Sequence, residues 1–111
     1  SNESRCLFTD DENKILVYMR GDILFAFNFN PNRSFDGYFI RNADEGIYTP
    51  IMSTEALKYG GDDRVAMDCV YKAETAEDGN CGFKIYLPSR SAICLKKEKI
   101  KKTRKRNTKK S

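Results

Sequence analysis

Sixteen carboxylates, four thiols, six tyrosines and no histidine are the chemically versatile side chains of this 111-residue sequence. Acid–base catalysis needs a nucleophile and a base held together, and with no imidazole available no such arrangement stands out. The acids cluster in turns, as in Asp10-Asp11-Glu12-Asn13 and Asp44-Glu45. The first of these lacks the alternating ligands, the glycine and the distal glutamate of a calcium loop, so it is taken as a solvated turn. Cys6, Cys69, Cys81 and Cys94 are separated by 63, 12 and 13 positions, with no Cys-x-x-Cys pair. That spacing does not suggest zinc. No catalytic residue, metal site or cofactor is therefore expected. The cysteines are expected to be reduced, in a cytoplasmic protein, with Cys94 buried in an apolar strand.

Charge is divided between two regions. Residues 96–111 hold ten of the twenty Lys and Arg and one acid, which leaves residues 1–95 at a net charge of −5. A basic tail with almost no apolar residue is expected to be disordered. Lys101, Lys102, Arg104, Lys105 and Arg106 are its candidates for contact with nucleic acid or another polyanion through counterion release. No apolar run approaches the ~20 residues of a membrane helix, and no basic-then-apolar leader opens the chain, so neither membrane nor export is expected.

The positioning elements are strands. Residues 15–19 and 23–29 are apolar runs around Arg20-Gly21-Asp22, where glycine supplies the positive φ of a tight hairpin. That turn accounts for Arg-Gly-Asp without invoking the cell-adhesion tripeptide it spells. In the second run Ile23, Phe25, Phe27 and Phe29 share one face, which is expected to be the core. On that assignment Phe27→Ala costs about 3–5 kcal/mol. Residues 35–41 and 47–52 are further strands, and Pro50 places the second at an edge or where no partner is needed. A single helical turn is expected after Ser53 or Thr54, ended by Gly60 or Gly61, then a weak strand over 65–72 and a polar, disordered loop over 73–82. Phe83, Ile85 and Leu87 alternate with Lys84 and Tyr86, and Pro88-Ser89-Arg90 is expected to close a second hairpin with residues 91–95. The sum is an all-β, antiparallel β-sandwich of about six to eight short strands. Its expected divisions are a polar lead-in over 1–12, the sandwich over 13–97 and the tail over 98–111.

Three stretches in order carry a family resemblance. Phe25-Ala26-Phe27-Asn28-Phe29-Asn30-Pro31, Tyr59-Gly60-Gly61 and Tyr86-Leu87-Pro88-Ser89-Arg90-Ser91-Ala92 together resemble the C-terminal all-β domain of 1,4-α-glucan (glycogen or starch) branching enzymes, in the α-amylase superfamily. The Leu-Pro-Ser-Arg run is closest to the eukaryote-like branch. The resemblance covers about residues 13–97; the acidic N-terminal stub and the basic tail depart from the pattern. It implies a sandwich that follows a catalytic (β/α)-barrel and packs against it. The parent enzyme would transfer an α-1,4 glucan chain to a 6-hydroxyl by a retaining mechanism, with both catalytic carboxylates on the barrel. No barrel motif is present in this sequence, so the chain alone is expected to be inactive.

On that resemblance an α-glucan contact is also conceivable, because sugar rings stack on exposed aromatic faces. Tyr59, Tyr48 and Tyr38 are the candidates, against the plainer reading that they pack in or beside the core. Asn28, a polar residue on a strand face, is expected to bond a loop backbone. A stand-alone carbohydrate-binding module and a polyanion-binding adaptor remain the alternative functions.

Overall fold

The computed structural model describes residues 3–54 and 69–99. Among them eight strands run β1 (Ser4–Asp10), β2 (Ile15–Arg20), β3 (Ile23–Asn28), β4 (Phe35–Arg41), β5 (Gly46–Ser53), β6 (Tyr71–Thr75), β7 (Cys81–Leu87) and β8 (Ser91–Glu98). Every pairing is antiparallel, in the spatial order β1-β2-β3-β8-β5-β6-β7-β4. None of the described residues forms a helix, and none forms one long and apolar enough to cross a membrane.

This sheet doubles back on itself as a two-layer sandwich. β6 is the corner strand: Tyr71 and Ala73 pair with β5, whereas Glu74 and Thr75 pair with β7. The larger layer contributes Val17, Leu24, Ala26, Tyr48, Ile93 and Leu95 to the core, and the smaller contributes Ile40, Phe83, Ile85 and Leu87. The Tyr48 and Phe83 rings meet between the layers at 4.9 Å. β1 and β4, the two ends of the strand order, are drawn together by side chains. Asn42 Nδ2 donates to Leu7 O at 3.0 Å, Phe8 stacks on Tyr38, and the Arg41 guanidinium lies 4.1 Å from the Phe8 ring centre.

The β2–β3 hairpin forms as expected, with Gly21 at φ +60° in the position that a type II′ turn reserves for glycine. Its inward face is the opposite of the expected one. Leu24, Ala26 and Asn28 are buried, whereas Ile23, Phe25 and Phe27 are only half-buried and Phe29 is 58% exposed. The register explains this, because Leu24 pairs with Met19 and Leu95, and Ala26 with Val17 and Ile93. Both neighbouring strands turn their best-buried residues to that side. Counting aromatic rings along one strand picked the larger side chains, but burial follows what the neighbours share.

Other departures have local causes. Ser4–Asp10, expected to be a polar lead-in, forms β1 because Leu7 and Phe8 reach the core. Thr75 and residues nearby were expected in a loop, yet Ala73 is fully buried and anchors β6, so the loop contracts to a turn over 76–80. The Pro88-Ser89-Arg90 turn does not close a hairpin. β7 pairs with β6 and β4, and β8 with β3 and β5, so this turn carries the chain from one layer to the other. Arg90 takes φ +56° there, and Ser91 Oγ donates to Pro88 O. Pro50 lies inside β5 rather than on an edge strand, but among the described residues β6 pairs only with Gly46, Ile47 and Tyr48, so there the proline faces no partner on that side, the second of the two placements expected for it. The helical turn expected after Ser53 or Thr54 lies outside the described residues, as do residues 65–68 of the weak strand expected over 65–72, of which Tyr71 and Lys72 fall in β6.

Candidate docking surface

The outer side of the larger layer is built in cross-strand rows. Tyr18, Phe25, Cys94 and Met52 follow one another across β2, β3, β8 and β5, and Leu16, Phe27 and Ala92 form the next row. Neighbouring rings run nearly parallel: Tyr18 to Phe25 at 4.8 Å, Tyr18 to Phe27 at 5.9 Å and Phe27 to Phe29 at 5.6 Å. Phe29 and Met52 are exposed large apolar side chains, and so is Ile51, which precedes Met52 in β5. At one end a shallow recess is lined by Phe27, Phe29, Thr54, Arg90 and Ala92. A layer with aromatic rings on its solvent side, over an inner face already filled by core residues, has the composition of a protein-contact surface.

Asn28 clamps the loops beside this face. Its Nδ2 donates to Arg33 O at 3.0 Å and to Leu87 O at 3.1 Å, while its Oδ1 accepts from Asn30 N at 2.9 Å. Asn30 Oδ1 in turn accepts from the backbone N–H groups of Asn32 and Arg33. Asn28 thus does what its placement on a strand suggested, and more, because its partner Leu87 belongs to the opposite layer.

The three tyrosines proposed for sugar contact part company. Tyr48 is fully buried against Phe83, and its hydroxyl donates to Asp44 O at 2.8 Å. It offers no open ring face and packs in the core, in line with the plainer of the two readings. Burial, then the Asp44 charge, push its phenol well above the ordinary value. Tyr38 is half-buried between Phe8 and Phe35 and donates to Asp10 Oδ2 at 2.7 Å. Tyr59 lies outside the described residues, as do Lys101, Lys102, Arg104, Lys105 and Arg106. Among the described residues no group of three or more His, Cys, Asp or Glu is placed to hold a metal ion. Cys94 is half-buried on the outer face rather than in the core, and burial raises its thiol pKa, as it does that of Cys81.

Asp10 gives the sandwich seam a pH dependence. Hydrogen bonds from Asn13 and then Tyr38 hold its carboxyl below the ordinary value. A carboxylate lowered in this way stabilises the fold above its unfolded pKa, and that contribution drains away as pH falls through the lowered folded value. Tyr38→Phe should therefore reduce stability at neutral pH and flatten the acid limb below about pH 4. Urea midpoints measured across that range check this; parallel limbs for the two proteins would contradict it.

The outer aromatic rows were missed by sequence reasoning, although their signal was present. Phe25 and Phe27 had been recognised as one face, and only the assignment of that face to the core was wrong.

Comparison with known proteins gives a consistent family. The model of the α-amylase C-terminal all-β domain matches residues 7–98. A 1,4-alpha-glucan-branching enzyme of Dictyostelium discoideum is 32% identical over 89 residues, covering 78% of this chain and 13% of that protein. The enzyme of the same name from Rhizophagus irregularis is 34% identical over 87 residues, covering 77% and 13%. That from Solanum tuberosum is 37% identical over 59 residues, covering 53% and 7%. The chain thus spans only about an eighth of the length of the first two.

Proposed function

As the chain belongs to the α-amylase C-terminal all-β domain family, we propose that it is the accessory β-domain of a 1,4-α-glucan branching enzyme. The parent would form α-1,6 branches in an α-glucan, and this domain would pack against its catalytic domain and support it. No catalytic residue is assigned to the chain itself, and its proposed compartment is the cytoplasm, in keeping with the thiols of Cys6, Cys81 and Cys94.

The observation that carries this reading is the outer face of β2, β3 and β8. Stacked Tyr18, Phe25, Phe27 and Phe29 sit among Leu16, Ala92, Cys94 and Met52. A sugar platform places hydrogen-bonding groups beside its rings. These neighbours are mainly apolar, which suits a protein surface better than a glucan.

Phe25→Ser with Phe27→Ser tests it. In the parent protein the double variant should lose branching activity and soluble yield, because the catalytic domain loses its apolar seat. Full activity and yield in the double variant would contradict the packing role. Measurable glycogen binding by this chain alone, lost in the same variant, would favour a carbohydrate-binding module instead.

A further inference from the structure

We propose that Asp36-Gly37 is a site of spontaneous modification, at which the folded protein converts aspartate to isoaspartate. The chain holds two Asp-Gly pairs, Asp36-Gly37 and Asp78-Gly79. In such a pair the glycine nitrogen can attack the preceding side-chain carboxyl, because no Cβ shields it. Both pairs are exposed, and both glycines take positive φ, at +72° and +88°. A Cβ built on either glycine would meet nothing within 4 Å. Exposure and steric access therefore do not separate the two pairs.

Their bonding does. Asp78 is held at both carboxylate oxygens: Asn80 N donates to Oδ1 at 3.0 Å, and Asn80 Nδ2 donates to Oδ2 at 3.1 Å. Gly79 N, the nucleophile of that pair, donates to Ala76 O at 2.9 Å. The turn over 76–80 thus ties down both reacting groups. The Asp36 carboxylate makes no hydrogen bond or ion pair with a described residue. The pairing of β4 with β7 passes from Phe35 opposite Leu87 to Tyr38 opposite Ile85, so Asp36 and Gly37 together face the single position Tyr86. A bulge with a left-handed glycine disrupts the ladder locally. β4 also ends the strand order, so among the described residues no strand pairs along its other side. The site lies in the smaller layer and does not depend on the docking reading.

The reaction balances with water alone. Gly37 N bonds to Asp36 Cγ, and the hydroxyl of the protonated carboxyl leaves with the amide proton as water. Water then opens the cyclic imide. Addition at Cγ restores aspartate. Addition at the main-chain carbonyl carbon of Asp36 leaves Gly37 joined through Cγ, and the backbone gains one carbon. That carbon enters just before Tyr38, whose hydroxyl bonds Asp10 across the seam between β1 and β4.

Ageing the native protein at neutral pH, followed by tryptic digestion, tests this. Asp36 falls in the peptide 34–41 and Asp78 in the peptide 73–84. Isoaspartate appears as a second chromatographic peak of unchanged mass, which accepts a labelled methyl group from S-adenosylmethionine when an isoaspartyl methyltransferase is added. In the folded protein it should accumulate several-fold faster at Asp36 than at Asp78. In guanidinium chloride, where the turn no longer holds Asp78, the two rates should converge. An Asp36 that converts no faster than Asp78 in the folded protein would overturn the proposal. So would a difference that persists after unfolding, because it would then belong to the neighbouring residues and not to the fold.

Discussion

Leu24→Ala should lower the unfolding free energy of this chain by about 2–5 kcal/mol, the cost of emptying a close-packed aliphatic site. Leu24 is fully buried, between Met19 and Leu95 in the register of the larger layer. Phe27→Ala, on the same strand, should cost much less, roughly 1–2 kcal/mol. It loses half-buried area and ring contacts with Tyr18 and Phe29 of the kind worth about 0.5–1.5 kcal/mol per pair. Urea unfolding of the two variants gives the order directly. If Phe27→Ala proved the costlier, the inner and outer faces of β3 would be reversed, and the docking surface would be lost with them.

Asn28→Asp should be at least as damaging, although it changes one atom group. The amide nitrogen of Asn28 donates to two carbonyl oxygens, Arg33 O and Leu87 O, in a side chain only 1% exposed. A carboxylate puts an acceptor where those two acceptors converge. Each buried group left without its partner costs about 1–3 kcal/mol, and more when the intruding group is charged. The expected loss is therefore about 3 kcal/mol or more at neutral pH. It should shrink at low pH, where a protonated carboxyl donates one of the two bonds. Asn28→Ala leaves the same carbonyls unpaired without introducing charge, and should show no such partial rescue. Denaturant titration at neutral and acidic pH distinguishes the two; an Asn28→Asp protein as stable as the wild type would mean that the clamp contributes little to joining the layers.

These two residues show how far the sequence could be read. Alternation along residues 23–29 announced the strand and both its faces, but a single strand does not say which face its neighbours bury. That depends on register with residues as distant as Ile93 and Leu95, which local periodicity does not encode. The Pro88-Ser89-Arg90 turn failed for the same reason, since a short turn between two alternating strands looks alike whether it joins neighbours or layers. Asn28 was legible because a polar residue on an apolar strand demands partners, and only the identity of Leu87 as one of them needed the fold. Tyr48 could be read either as a surface ring or as a core residue, because an aromatic two positions before a proline in β5 gives no sign of Phe83 behind it. The family resemblance was legible in three short ordered motifs, which is why it survived errors in the strands between them.

The most direct test of the central claim is the size of the native polypeptide that carries this segment. An antibody raised to the chain, used to blot a fresh extract of the source cells, reads it in one step. A band several times heavier than 12.8 kDa is the predicted result, and branching activity should follow that band through purification. A band at 12.8 kDa, with no heavier species, would contradict the accessory-domain reading and leave a domain that acts alone.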